Sequence, residues 1–390
     1  MRNERNERGE EAMAPPREEA RSGGAFLGLL RAALWMMLFP ALLLPARAQS
    51  GRKPQGQPSG EKPVVRIETR EVVLPLLAYD MNGKFVDDLT EKDVLVLEEG
   101  EARPVARLRR EPANIVLLLD ASNEIGTFKN GPTERIERED RPIWERGGPG
   151  YQVLQRPTAW AFAERFVASL APSDHVAVIL YAERPQLIQD WTRDKAQAVA
   201  ALQSKYRVGV RSTYLDALKL AADKLASRRE GRRVIVMLSD GLDSASKTPR
   251  ANAMLALEKA RAAVFVIGWA EALRSEIAFA ADWAGRRERA TTSSAKRIDE
   301  LRRHIPQLDA AAVELRQLAD ASGGEMWLPL THAEIIKMHT QLAQEIGAQY
   351  SLSFVTERKP SLEDLRSIQV LPARPGLNIR SRRTYYAGEE

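Results

Sequence analysis

The stretch 114–128, NIVLLLDASNEIGTF, decides how the chain is read. An apolar run over 115–119 stops at Asp120 and gives way to a small polar loop, Ala121-Ser122-Asn123-Glu124. A run this short and this uniformly apolar predicts a strand covered on both faces of a sheet. Runs of the same kind recur at 176–181, 234–238 and 264–267, and amphipathic patterns between them predict helices over 159–170, 195–202, 215–226 and 253–262. Strand alternating with helix implies an α/β fold built on a doubly wound, mostly parallel sheet. A helix over 310–321, a short strand EMWLP after Gly323-Gly324 and a helix over 333–347 complete this body.

Outside it the pattern changes. Residues 63–112 carry short Val- and Leu-rich runs punctuated by turn chemistry at Asn82-Gly83 and Gly100, which predicts a small β module. The tail, 349–390, returns to the same character with QYSLSFVTE, SIQVLPA and LNIRSRRTYY. A module of about 50 residues alone has a marginal core, so the tail strands are expected to pair with 63–112. Two stretches of the body, about 125–157 and 271–307, break the α/β rhythm and are expected to be loop insertions.

The N-terminus reads as an export signal over 1–48. A charged segment ends at Arg31, an apolar run of about 15 residues follows, too short to span a bilayer, and Ala46-Arg47-Ala48 forms a cleavage site that leaves Gln49 first. Met13 offers a second start. Residues 49–62, QSGRKPQGQPSGEK, are a flexible linker. The 390 residues contain no cysteine, which excludes disulfides and a lipid-modified cysteine, and no membrane span remains once the signal is cleaved. The secreted or periplasmic chain must therefore be stabilised by packing alone. A net charge of +5 comes from scattered arginine clusters with acids nearby, not from a basic stripe with a reading element, so nucleic acid is not an expected partner.

Ligands of open parallel sheets bind beyond the carboxyl ends of the strands, near the switch point. Asp120 ends one strand, Asp240 follows another in VIVMLSDGLDSAS, and Thr213 precedes a helix in GVRSTYLDAL. Two acids and a hydroxyl on separate loops over one sheet edge form a hard-oxygen set suited to Mg2+ or Mn2+, which a partner's carboxylate can complete. The competing reading is structural: strand-terminal Asp and Ser also cap helices and satisfy loop amides.

Over 114–347 the chain resembles the von Willebrand factor type A family. Asp120 and Ser122 look like the start of its D-x-S-x-S loop, Thr213 like its threonine and Asp240 like its second aspartate. The flanks LPLLAYDMNGKFVDDLTEKDVLVLEEGEARPV, LRQLADASGGEMWLP, EIGAQYSLSFV and RPGLNIRSRRTYY look like exported bacterial, acidobacterial-type members. The resemblance implies a Rossmann-like domain over 113–348 that is not an enzyme. It binds a protein or cell-surface ligand, through an acidic side chain, at a metal-ion-dependent adhesion site. It also implies a metal set of Asp120, Ser122, Glu124, Thr213 and Asp240, with Mg2+, Mn2+ or Ca2+ as the ion. The sequence departs from the family at Glu124, which stands where a serine is usual, so the site is a degenerate one. A metal-free interaction scaffold is the alternative. A metal-dependent hydrolase using Asp120, Glu124, Asp240 and Asp243 is the third reading, though no phosphate-binding, zinc-protease or serine-hydrolase signature accompanies those acids. The four histidines form no spaced set, and His332 and His339 read as ordinary surface or boundary residues.

Overall fold

The structure, a computed structural model, describes residues 70–122, 158–286, 296, 299–357 and 365–387. The expected signal segment, the linker, Glu124 and the whole of the first insertion lie outside the described residues. The described chain begins with a β module: β1 (Arg70–Tyr79), β2 (Val94–Glu98), β3 (Glu101–Arg103) and β4 (Val105–Arg109). The body follows as β5 (Ala113–Asp120), α1 (Thr158–Ser169), β6 (His175–Tyr181), β7 (Pro185–Thr192), α2 (Lys195–Lys205), α3 (Tyr214–Ala226) and β8 (Arg232–Ser239). It continues through α4 (Arg250–Ala260), β9 (Ala263–Gly268), α5 (Ala270–Arg286), α6 (Ile305–Ser322), β10 (Met326–Trp327) and α7 (His332–Ala348). The tail supplies β11 (Tyr350–Thr356), β12 (Leu365–Pro372), β13 (Asn378–Ser381) and β14 (Thr384–Tyr386).

The body is the α/β fold its apolar runs require. Its six strands lie in the order β10-β9-β8-β5-β6-β7, and only the β6–β7 pair is antiparallel. All eight residues of β5 are buried because helices cover both faces. Ile115, Leu117 and Leu119 point into a core closed by α1, α5 and α7, whereas Val116 and Leu118 meet α3 and α4. Each such side chain contributes about 1.5–3 kcal/mol of burial, so the register of this strand is tightly specified.

The N- and C-terminal strands make two four-stranded sheets, β13-β1-β11-β4 and β14-β12-β2-β3, and each sheet draws strands from both ends of the chain. Val72, Leu74 and Leu76 of β1, Leu352 and Phe354 of β11, and Ile368 of β12 share one core between them. The turns within the module follow their residues: Glu99-Gly100, both with positive φ, join β2 to β3, and Asp80 Oδ1 accepts from the amides of Asn82 and Lys84. The body is inserted between β4 and β11, which pair with each other.

Close backbone approach joins module and body. Gly323 caps α6 with φ +80°, and a Cβ there would sit 2.7 Å from the Arg382 amide nitrogen. Arg382 is buried on Glu258 and the Ala262 carbonyl, and Leu77 of β1 enters the core of the body.

Two features differ from the expectation. The second insertion, 271–307, contains the 17-residue helix α5, whose Leu273 and Ile277 are buried one turn apart, and α6 begins at Ile305, inside the same stretch. An edge strand, β7, stands where none was expected. It is half polar, with the sequence PQLIQDWT, because only one side of an edge antiparallel strand is held.

Candidate functional site

Three segments meet at the carboxyl edge of the central sheet. β5 has β6 on one side and β8 on the other, which makes its end the switch point. Asp120 lies opposite Tyr181 of β6, and Leu119 lies opposite Leu238 of β8, so Asp240 follows directly on the neighbouring strand. Thr213 occupies the position before α3. Asp120, Ser122, Thr213 and Asp240 are all buried.

The loops are held by their own polar groups. The Ser122 amide and hydroxyl both donate to Asp120 Oδ1, at 2.9 and 2.6 Å. The Leu242 amide donates to Asp240 Oδ1 at 3.0 Å. Thr213 does not cap α3: its hydroxyl donates instead to the Ala182 carbonyl at 2.8 Å. The cap falls to Asp243, whose Oδ2 accepts from the Leu215 amide at 2.9 Å and whose Oδ1 accepts from the Ser246 amide at 3.0 Å. Ser212 ties the two loops together, donating to the Leu242 carbonyl and accepting at its own carbonyl from the amides of Ser244 and Ala245. Asp216, on the first turn of α3, accepts from the amides of Lys247 and Thr248.

The arrangement thus brings together four of the five residues singled out by sequence: Asp120, Ser122, Thr213 and Asp240. Glu124 is outside the described residues. The residue types suit a hard divalent cation: carboxylates from Asp120 and Asp240, and hydroxyls from Ser122 and Thr213 that direct their hydrogens to protein acceptors. Two carboxylates and two hydroxyls are the acceptor set. Among the described residues no group of three or more His, Cys, Asp or Glu side chains is placed to hold an ion.

The reading of the sequence missed two partners. Tyr181, the last residue of VILY, is buried, and its hydroxyl donates to Ser239 Oγ at 2.7 Å. Burial drives the phenol well above its ordinary range, and the charges of Asp120 and Asp240 add to the effect. Its place at the end of an apolar run beside Asp120 was the available signal. The second is His332, which is buried and not a surface residue. Its Nδ1 lies 2.5 Å from Thr158 Oγ1 at the start of α1, and its Nε2 lies 2.6 Å from Glu276 on α5. The contacts join helices 174 and 56 residues apart in sequence, separations that no local pattern reveals.

Residues 147–242 match the family described as von Willebrand factor type A domain. The matched stretch contains Thr213 and ends two residues beyond Asp240. Comparison with curated proteins returns no match. Similar solved structures include BatB from Bacteroides thetaiotaomicron, a conserved hypothetical protein (20% identity over 40% of this chain and 66% of that one, TM-score 0.29). A D319A mutant of the PilB minor pilin from Streptococcus sanguinis is 13% identical over 61% of this chain and 62% of that one, with a TM-score of 0.37. The vWF domain of the type V pili tip protein Mfa5 from Porphyromonas gingivalis is 21% identical over 34% of this chain and 39% of that one, with a TM-score of 0.25. The chain therefore spans less than two thirds of the length of each of these proteins. From the switch-point geometry and the family match together, the chain carries a von Willebrand factor type A domain.

Proposed function

We propose that the protein is an exported interaction module, not an enzyme, that engages a protein or cell-surface ligand at the carboxyl edge of its central sheet. The observation that carries this reading is the convergence of Asp120, Ser122, Thr213 and Asp240 at the switch point, in a stretch that overlaps the family match. When a divalent ion is bound there, it supplies an electropositive point for a partner's carboxylate. The chain's own residues orient the site: Ser122 and Leu242 fix the carboxylates, and Ser212 holds one loop on the other. Export rests on the 1–48 signal reading. Among the described residues no helix is long and apolar enough to cross a membrane.

The hydrolase reading is disfavoured by Asp243, which it needs as a ligand. Both of its carboxylate oxygens serve backbone amides around the start of α3. The Thr158–His332–Glu276 line, although it contains a hydroxyl, an imidazole and a carboxylate, has its hydroxyl and imidazole buried between helices and serves to pin them.

Thermal melting with and without millimolar Mg2+, Mn2+ or Ca2+ tests the metal. An ion at a hundredfold excess over Kd stabilises the fold by about 2.7 kcal/mol, and Asp120→Ala with Thr213→Ala should remove that shift. A shift that survives in the double variant places the ion elsewhere. No shift in wild type leaves the metal-free scaffold, which a pull-down from the exported fraction that is insensitive to chelator would support.

A further inference from the structure

At the opposite edge of the central sheet a groove of about 1010 Å³ runs between the module and the body. This is at the upper end of the ~300–1,000 Å³ usual for small-molecule sites. Its floor is the outer face of the sheet containing β1, β11 and β4. Strand register places Arg107, Ser353 and Val73 in one row across it, and Arg109, Ser351 and Pro75 in the next. Facing residues of such rows stand about 5 Å apart. The far wall is the turn from α3 into β8, with the exposed Arg229, and the end of α4. There Arg261 takes a left-handed φ of 51° at a helix end where glycine is usual.

Six arginines and three glutamates line the groove, an excess of three positive charges. Arg107 and Arg109 have Glu71 and Glu111 beside them, at 3.6 and 2.5 Å. Arg232 and Arg233 also give guanidinium N–H groups to backbone carbonyls. Ser353 lines the groove and is 4% exposed, and its buried hydroxyl has no hydrogen-bond partner among the described residues. A buried hydroxyl left without a partner is destabilising, and a ligand acceptor would satisfy it.

We propose that this groove binds a ligand bearing two linked phosphates. Guanidinium groups pair with phosphate in bidentate fashion, and the serine supplies a donor from the floor where the arginines approach from the sides. Each phosphate carries roughly 1.5–2 negative charges, so a diphosphate matches the local excess within a short length, whereas carboxylates would need three separate groups. The site is independent of the carboxyl-edge reading, which can fail without affecting it.

Isothermal titration of the full chain with inorganic diphosphate, orthophosphate and a nucleoside diphosphate, at about 0.15 M salt, tests the proposal. Diphosphate is expected to bind at least about tenfold more tightly than orthophosphate, and Arg107→Glu with Arg229→Glu to weaken it at least about tenfold. Both arginines are exposed, so the variant should fold, and an unchanged melting temperature checks this. Ser353→Ala should weaken binding roughly fivefold. Tighter binding of the nucleoside diphosphate would mark the ligand as a nucleotide, and equal binding would mark the diphosphate group itself; either supports the site. Absence of binding by both, equal affinity for orthophosphate, or unchanged affinity in the double variant overturns it.

Discussion

Glu98 is fully buried in the β module and accepts from Arg103 at 2.6 Å, from Thr356 at 2.8 Å, from Arg366 at 3.2 Å and from Tyr385. Burial by itself would raise its carboxyl, but these donors outweigh it, led by Tyr385 and Arg103, and hold it at about 2. Its donors come from β3, β11, β12 and β14, so one carboxylate links both sheets and both ends of the chain. Glu98→Gln keeps the shape and removes the charge that Arg103 and Arg366 pair with. The expected loss is about 3 kcal/mol, read from the urea midpoint. The depressed carboxyl contributes stability that is complete above the unfolded value near 4.5 and is lost as pH falls towards 2. Acid melting curves of the variant should therefore be flatter than those of wild type across that window.

At the scale of elements, the loop between β8 and α4 is held to α3 by Asp216. Burial opposes its charge, yet the amides of Thr248 and Lys247 lower its carboxyl. Asp216→Ala should free residues 243–248, seen as faster amide exchange there, at a cost of about 1–2 kcal/mol. The strands β5, β6, β8 and β9 were legible because both of their faces are covered, which forces continuous apolar runs. β7 was not legible, because at the sheet edge Gln186 and Asp190 are exposed and Gln189 only half-buried, which breaks any continuous apolar run. The helix α5 was hidden by the charges around it, although Leu273 and Ile277 carry its periodicity. At the carboxyl edge, Asp120 and Asp240 could be read from strand ends. The Tyr181–Ser239 bond and the His332 contacts could not, since they depend on which strands and helices become neighbours.

For the whole molecule, the junction of module and body holds a second buried carboxyl. Glu345 on α7 lies with Glu325 near Arg380, which also donates to Tyr79 at 3.1 Å. Burial, then the Glu325 charge, raises Glu345 to about 8 against the opposing pull of Arg380. Its folded form holds a proton that its unfolded form releases near 4.5. The contribution is therefore present below that pH and lost as pH rises through 8. Glu345→Gln should raise the melting temperature relative to wild type increasingly from pH 5 to 9, and a constant difference would count against this. The insertion of the body between the paired strands β4 and β11 also sets an order in time. Strand β1 finds its partner β11 only after some 270 residues have been made, and β2 waits about as long for β12. Contacts so distant in sequence form slowly, whereas the body's neighbouring strands and helices can assemble early. During synthesis or release from a translocation channel, β1 and β4 should remain unpaired, and the β2–β3 hairpin should lack its β12 neighbour, leaving the module vulnerable to proteases until the tail strands emerge, so the tail acts as the latch that completes the module.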